Sequence, residues 1–242
     1  AACIILQNPN FFGCVEKVDR IEAVCHSCGA LLIASVNPIS LGLLKAPGEY
    51  NADIAVGEGQ PLGIPLSYGG PYLGFFAVKE KYMRKMPGRI AGMTKDIEGK
   101  RGFVLTMQAR EQHIRREKAT SNICTNEGLM ALAACVYLSL VGREGIKEIA
   151  RQNILKSHYL KDKILKLTGF ELMFDSPFFN EFAVRCGKEP DKILGDLLKH
   201  GIIGGLPLGR FYPDMKNCML ICVTETKAKE DLDKFAELLG KH

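Results

Sequence analysis

The sequence predicts an α/β protein, with a large domain on a mostly parallel sheet followed by a small α+β domain. Two observations predict it. Apolar runs typical of buried strands alternate with a helical pattern in the N-terminal third, joined by short connections. After a long apolar helical stretch, strands and amphipathic helices then follow in a different order. We place the boundary after residue 143, so that the predicted domains are 1–143 and 144–242.

The N-terminal elements are predicted from hydrophobic periodicity. Val18, Ile21, Cys25 and Cys28 fall on one face of a helix. The strands are short apolar runs, most of them followed by Asn, Pro or Gly, which end regular structure. The predicted strands are 4–7, 31–36, 53–56 and 74–78.

Thr120 or Ser121 is predicted to cap a long apolar helix that ends near Gly142. Its apolar run, 129–141, is too short to span a bilayer, so we expect a buried helix. A second helix over 145–167 is predicted to link the domains. The predicted C-terminal elements are strands 182–185 and 218–223 and helices 191–199 and 229–239.

Composition limits the class of protein. The chain has 242 residues, of which 47% are hydrophobic and 24% charged, as in an ordinary soluble protein. A net charge of +5 does not indicate nucleic-acid binding. No signal peptide is visible, and nine scattered cysteines argue against a disulfide framework and for a reducing cytoplasm. Because the sequence opens without Met on a strand-like run, we expect an N-terminal part to be missing.

Two short motifs have plain structural interpretations. Cys25-His26-Ser27-Cys28 could be a redox pair or half a metal site, but no second pair completes a metal set, so core packing is favoured and no metal is expected. The glycines in 57–63 miss the dinucleotide-binding spacing by one residue. The glycine pair in 67–72 is typical of a turn or of close approach to a ligand.

The densest polar stretch is 108–125, in which five basic or imidazole side chains interleave with two glutamates. A solvated face would give this mixture of charges. Alternatively, helix N-terminal amides together with Thr120 or Ser121 could hold a phosphate or carboxylate.

The stretches 7–13, 37–45, 57–77 and 110–125 together closely resemble the glycine cleavage system P proteins, and in particular the alpha subunits of the split, two-polypeptide form. The run R-E-Q-H-I-R-R-E-K-A-T-S-N-I-C-T at 110–125 is the most specific of them. The resemblance implies a fold-type I PLP-dependent transferase architecture, here with a partial large domain and a small C-terminal domain.

The resemblance also implies an activity, glycine dehydrogenase (aminomethyl-transferring). In this oxidoreductase system glycine loses carbon dioxide, and its aminomethyl group passes to the lipoyl group of the H protein. PLP, expected on the partner beta subunit, is the electron sink. The implied partners are that beta subunit, in a heterotetramer, the lipoyl-carrying H protein and glycine, with no nucleic acid and no membrane.

The chain departs from a working PLP site at two positions. Gln60 stands where the fold carries the lysine that forms the Schiff base, and an amide cannot act as that amine. Ser35 ends the strand that should carry the aspartate paired with the pyridine nitrogen. We therefore expect no catalytic residue on this chain. Asn37 is a lesser departure, where relatives are expected to have aspartate.

Related enzymes place a Thr or Ser on the cofactor phosphate of the neighbouring subunit. By analogy, Arg110, His113, Thr120 and Ser121 are candidates for the subunit interface or for proximity to that phosphate. Thr120 as a plain N-cap is the alternative. Two rival functions remain open, a purely structural scaffold for the beta subunit and a self-sufficient PLP lyase that uses Lys45.

Overall fold

The computed structural model describes residues 1–119 and 127–242. Its regular elements agree closely with the predicted order in both halves of the chain. The strands and helices are β1 (Cys3–Asn8), α1 (Val18–Ser27), β2 (Leu31–Val36), β3 (Ile54–Glu58), β4 (Gly74–Val78), β5 (Ile90–Lys95), β6 (Arg101–Thr106), α2 (Gln112–Arg115), α3 (Gly128–Ile164), β7 (Phe170–Leu172), β8 (Glu181–Cys186), α4 (Pro190–Lys199), β9 (Leu206–Pro207), β10 (Cys218–Cys222) and α5 (Lys229–Leu239).

The first sheet has the order β1-β2-β3-β4. The strands β1, β2 and β3 run parallel, and β4 pairs antiparallel with β3, which confirms the prediction of a mostly parallel sheet. The carboxyl ends of the three parallel strands therefore meet at one edge, which is where ligands bind in open α/β sheets.

The strand β2 packs the sheet against α1. Its alternate residues Leu32 and Ala34 are fully buried, and they share a core with Val18 and Cys25 of the helix. The core position predicted for Cys25 is confirmed. Cys28 is exposed instead, because α1 ends at Ser27 and Cys28 already lies in the turn that leads to β2, so the prediction for this cysteine was wrong.

The C-terminal domain has an antiparallel sheet of order β7-β8-β10-β9, covered by α4 and α5. Phe182, Met219 and Phe235 belong to its core. Pro190 begins α4, where a missing N–H has no intrahelical partner to lose. The four elements predicted here from periodicity are confirmed to within one residue at each end. The domain boundary itself stays a prediction.

The two predicted central helices form one element, α3, kinked at Gly142. That glycine has φ of 62° and ψ of −176°, a conformation that glycine adopts without strain. The N-cap position of α3 is Glu127, so the prediction of Thr120 or Ser121 as its cap is corrected. Both of those residues lie outside the described part of the chain.

The N-terminal half of α3 is exposed, whereas the sequence predicted a buried helix. Leu129 is 72% exposed and Leu140 is 83% exposed, and Ala134 is buried. An apolar helix surface requires a partner surface to become buried, and the described residues leave much of this one open. By length and composition alone α3 could cross a membrane, a test that core helices of many proteins also pass.

The strands β5 and β6 form an antiparallel hairpin that the sequence did not predict. Several of its apolar side chains are exposed. They are Met93, Phe103, Val104 and Leu105. In β6 the apolar residues Phe103, Val104 and Leu105 are consecutive, so the sequence lacks the alternation of apolar and polar residues that indicates a half-buried strand.

Candidate functional site

A polar cleft of about 250 Å³ lies at the carboxyl edge of the parallel sheet. It is formed by the ends of β1, β2 and β3 together with the start of β8 from the C-terminal sheet. The residues that line it are Gln7, Pro9, Ser35, Val36, Asn37, Pro38, Glu58, Gln60, Pro61, Asn180 and Glu181. Ser35 and Gln60, which the sequence pairs as the two departures from a PLP site, therefore lie in one cleft.

Gln60 is in the turn that immediately follows β3. Its backbone N–H donates to Glu58 Oε1 at 3.0 Å, and its side-chain Nε2 donates to the carbonyl oxygen of Ile64 at 2.6 Å. The amide thus closes the turn on itself. A side chain held in this way stabilises the loop and presents no nucleophile to the cleft.

Glu58 holds the glycine-rich loop at both ends. Its Oε1 accepts the backbone N–H of Gln60 and, at 3.1 Å, that of Leu73, which begins the return to β4. A carboxylate that accepts two backbone N–H groups makes charge-assisted bonds, which are stronger than bonds between neutral groups. The loop 59–73 is therefore anchored at its base by one side chain. The adjacent pair Gly69 and Gly70 within it has φ of 116° and 121°, as expected for the predicted turn.

The first half of α3 packs directly against this turn. Gly63 has φ of +81°, and a Cβ added there would lie 2.8 Å from Tyr137 Cβ. Both the backbone conformation and the close helix contact require glycine at this position. The helix and the Gln60 turn are consequently held in fixed relation.

Ser35 lies on β2 opposite Gln7 of β1 and Val56 of β3. It is thus at the centre of the three parallel strand ends. Asn37 follows two residues later, and its Oδ1 accepts the N–H of Ile39 at 2.9 Å, an Asx turn that directs the chain away from the sheet.

The ionisable side chains of the cleft are acidic. Glu58 and Glu181 line it, and its described lining contains no lysine, arginine or histidine. Burial raises the pKa of Glu181, although a hydrogen bond with Cys222 acts in the opposite direction. Desolvation, together with the neighbouring Glu181, raises the pKa of the Cys222 thiol to about 12, so this thiol is protonated at neutral pH.

These residues do not fit PLP. The two residues that the resemblance assigns to the covalent attachment and to the pyridinium partner, Gln60 and Ser35, have an amide and a hydroxyl. A phosphate dianion would meet carboxylates where binding requires cations or N–H donors. No step of a PLP reaction can be derived from this set of side chains.

The other predicted site residues lie elsewhere. Arg110 ends the 3-10 turn Gln108–Arg110, and His113 is exposed on α2 and does not line the cleft. Thr120 and Ser121 fall outside the described residues. Lys45 pairs with Asp19 at 2.5 Å and also does not line the cleft. Among the described residues, no group of three His, Cys, Asp or Glu side chains could hold a metal ion.

The polar residues of the cleft that the sequence did not single out are Gln7, Glu58, Asn180 and Glu181. Glu58 was visible in the glycine-rich stretch, and its position two residues before Gln60 is the signal that could have identified it. Asn180 and Glu181 come from the other sheet, more than a hundred residues along the chain, and have no local signal.

Comparison with known proteins identifies the family. The profile of the glycine cleavage system P-protein family matches residues 1–239. The chain belongs to this family. A P-protein relative from Desulfitobacterium hafniense, described as a probable glycine dehydrogenase (decarboxylating) subunit 1, is 58% identical over 99% of this chain and 54% of its own length. A relative of the same description from Moorella thermoacetica is 56% identical over 96% of this chain and 52% of its own length. The chain spans about half the length of these relatives.

Solved structures agree with this assignment. The inhibitor-bound glycine decarboxylase (P-protein) of the glycine cleavage system matches with a TM-score of 0.94 and 44% identity, over 100% of this chain and 55% of that one. An alanine–glyoxylate aminotransferase from Nostoc matches with a TM-score of 0.68 at 18% identity, over 99% and 61%, which shows the fold alone. The predicted family and the fold-type I PLP-transferase class are both confirmed.

Proposed function

We propose that this P-protein chain is the alpha subunit of glycine decarboxylase and does not bind PLP itself. The observation that carries the proposal is the joint position of Gln60 and Ser35 in one acidic cleft. A chance loss of the lysine alone would leave the rest of a cofactor site in place. Here the nucleophile, the pyridinium partner and the favourable charge for phosphate are replaced together.

In this proposal the PLP chemistry takes place on the beta subunit, in the cytoplasm. There the bound cofactor supplies an electron sink for the decarboxylation of glycine, before transfer of the aminomethyl group to the lipoyl group of the H protein. The alpha chain contributes its fold and its interface surfaces to the heterotetramer. We assign Arg110, His113, Thr120 and Ser121 to the interface or to proximity to the partner's phosphate, by the resemblance of 110–125.

A purely structural scaffold is the second candidate. The exposed apolar half of α3 favours it, because an apolar surface of this kind commonly forms a protein interface, whatever the chemistry nearby. The two candidates differ in what substitution of the 110–120 segment does to the assembled complex.

The test begins with co-purification of the chain with its beta subunit and an assay of glycine–carbon dioxide exchange. We expect the beta subunit alone to be nearly inactive and the complex to be active. Full activity of the beta subunit alone would remove any part for this chain in the reaction.

The second stage assays Arg110→Ala, His113→Ala and Thr120→Ala complexes, with Arg143→Ala as the control because Arg143 is highly exposed on α3. If these residues contribute to the partner's site, the variants should assemble normally and lose turnover. If the chain is only a scaffold, the variants should either fail to assemble or assemble with unchanged turnover. Retention of full activity by all three assembled variants would leave the scaffold as the correct function.

A further inference from the structure

A second cavity, of about 460 Å³, lies on the C-terminal domain and shares no lining residue with the Gln60 cleft. It is enclosed by β10, by α5, by one residue of α3 and by the loop that follows α4. Its volume is within the range of small-molecule sites in proteins. The residues that line it are Leu160, His200, Gly201, Ile202, Ile203, Gly204, Ile221, Cys222, Val223, Lys227, Asp231, Leu232, Lys234 and Phe235.

The floor of this cavity is apolar and already formed. Leu160, Ile221 and Phe235 are buried members of the domain core. Ile203, by contrast, is 90% exposed at the surface of the loop after α4. A ligand with an apolar body could cover this side chain and contact the floor at the same time, which removes apolar surface from water.

The loop of the cavity is shaped by a close packing contact. A Cβ added to Gly204 would lie 2.4 Å from Leu197 Cδ1 and 3.2 Å from Phe235 Cε2, so a larger residue would displace these side chains. The loop that carries Ile203 therefore packs against α5.

The rim of the cavity is cationic. Lys227 and Lys234, which are both exposed, line it together with a single carboxylate, Asp231. Within the part of the chain that the structure describes, neither lysine side chain forms an ion pair. Two ammonium groups without carboxylate partners beside an apolar floor favour a ligand that has an anionic head and an apolar body.

We propose that this cavity is a binding site for a small organic anion with an apolar body. The site shares no lining residue with the Gln60 cleft, and the proposal holds whichever function the chain has. Binding requires both features, because the floor supplies the contact area and the lysines select the sign of the head group.

The test is calorimetric titration of the full chain with octanoate, an eight-carbon carboxylate, and with octylamine, which has a chain of the same length and a positive charge. We expect one octanoate per chain, bound roughly tenfold or more tightly than octylamine, as the loss of charge-assisted contacts implies. Equal binding of the two probes, or no binding of octanoate, would overturn the proposal.

A double variant, Lys227→Glu with Lys234→Glu, checks the location. We expect octanoate binding to weaken by roughly tenfold or more and the preference to shift to octylamine. Lys188→Glu with Lys192→Glu is the matched control, since both lysines are also exposed on the C-terminal domain and neither lines the cavity. An equal loss in the control would show general electrostatics or binding at other apolar surfaces, and the proposal would fail. Both lysines are on the surface, so a thermal unfolding curve like that of the unsubstituted chain is expected.

Discussion

Replacement of Asp53 by alanine should destabilise the chain strongly. Asp53 immediately precedes β3 and is 2% exposed. Its Oδ2 lies 2.8 Å from His26 Nε2 and accepts the N–H of Leu32 at 3.0 Å, while Oδ1 accepts from Lys79 Nζ at 3.0 Å. One carboxylate therefore ties α1, β2 and the end of β4 to the strand that leads into the Gln60 turn.

The magnitude follows from the exposure of the partners. Removing one member of a buried ion pair typically costs about 3–5 kcal/mol, because the other charge stays buried. The side chains of His26 and Lys79 are 27% and 31% exposed and can regain water. We therefore expect the lower end of that range, about 3 kcal/mol in the free energy of unfolding. Asp53→Asn should cost less, since its side-chain oxygen can still accept the N–H of Leu32.

The contacts of Asp53 with His26 and Lys79 also determine how the loss of stability depends on pH. Burial by itself would raise the pKa of Asp53, but hydrogen bonds from His26, the Leu32 N–H and Lys79 hold the pKa well below its usual range. This contribution is present above the pKa of an unfolded aspartate, and it is lost as pH falls through the folded pKa. Hydrogen bonds to Asp53 and then Glu22 raise the pKa of His26, so its contribution is complete below the pKa of an unfolded histidine and is lost as pH rises through the folded pKa.

The difference between the wild type and Asp53→Asn should therefore be largest between roughly pH 4 and pH 6.5, the unfolded pKa values of the two groups. Urea unfolding followed by circular dichroism, at about pH 5.5 and pH 8.5, measures it. Asp214→Ala, at an exposed aspartate, is the control. A loss below about 0.5 kcal/mol for Asp53→Ala, the level of ordinary surface substitutions, would refute the reasoning. The reasoning would also be refuted if the wild type exceeded Asp53→Asn in stability by more at about pH 8.5 than at about pH 5.5.

Three further outcomes are expected. Gln60→Lys combined with Ser35→Asp should not retain PLP after borohydride reduction, because both original carboxylates of the cleft remain, and a PLP adduct in the mass spectrum would contradict this. Gly63→Ala should lower the free energy of unfolding by about 1–3 kcal/mol, because φ is +81° and the new methyl group would contact Tyr137. An unchanged midpoint of urea unfolding would contradict this and show that the turn adapts. Asn153→Ala should cost about 1–3 kcal/mol in the same assay, because the buried Oδ1 accepts a backbone N–H at 2.8 Å from the loop before α5, and a neutral effect would mean that water replaces it.

Most regular elements were predictable because their apolar residues recur with the period of a strand or helix and because Pro, Gly or Asn follow. The strands β1 to β4 and the helices α4 and α5 are of this kind. The hairpin of β5 and β6 was not predicted, since Phe103, Val104 and Leu105 are consecutive and give no alternation of apolar and polar residues. The exposure of α3 was not predictable either, because an apolar run indicates that a helix needs a partner surface and does not say where that surface is.

The candidate site was predictable in part. The ends of parallel strands meet at one edge of a sheet, so strand assignments alone place Ser35 beside the Gln60 turn. Glu181 could not be assigned to the cleft, because only the packing of the C-terminal sheet brings it there. Of the two acidic side chains that argue against phosphate binding, Glu58 can therefore be assigned to the cleft from the local sequence. Glu181 can be assigned only from the tertiary structure.

The hydrogen bonds of Gln60 and Glu58 stabilise the turn after β3. A lysine at position 60 would need a free amine directed at a cofactor. The glutamine instead uses its amide on the carbonyl of Ile64, and Glu58 fixes both ends of the loop. These contacts lie within the turn itself. Gly63 also lets Tyr137 of α3 pack against the turn, so the loop joins the sheet to the long helix. Residues of this chain therefore hold the loop in place, and Gln60 has a structural role in it.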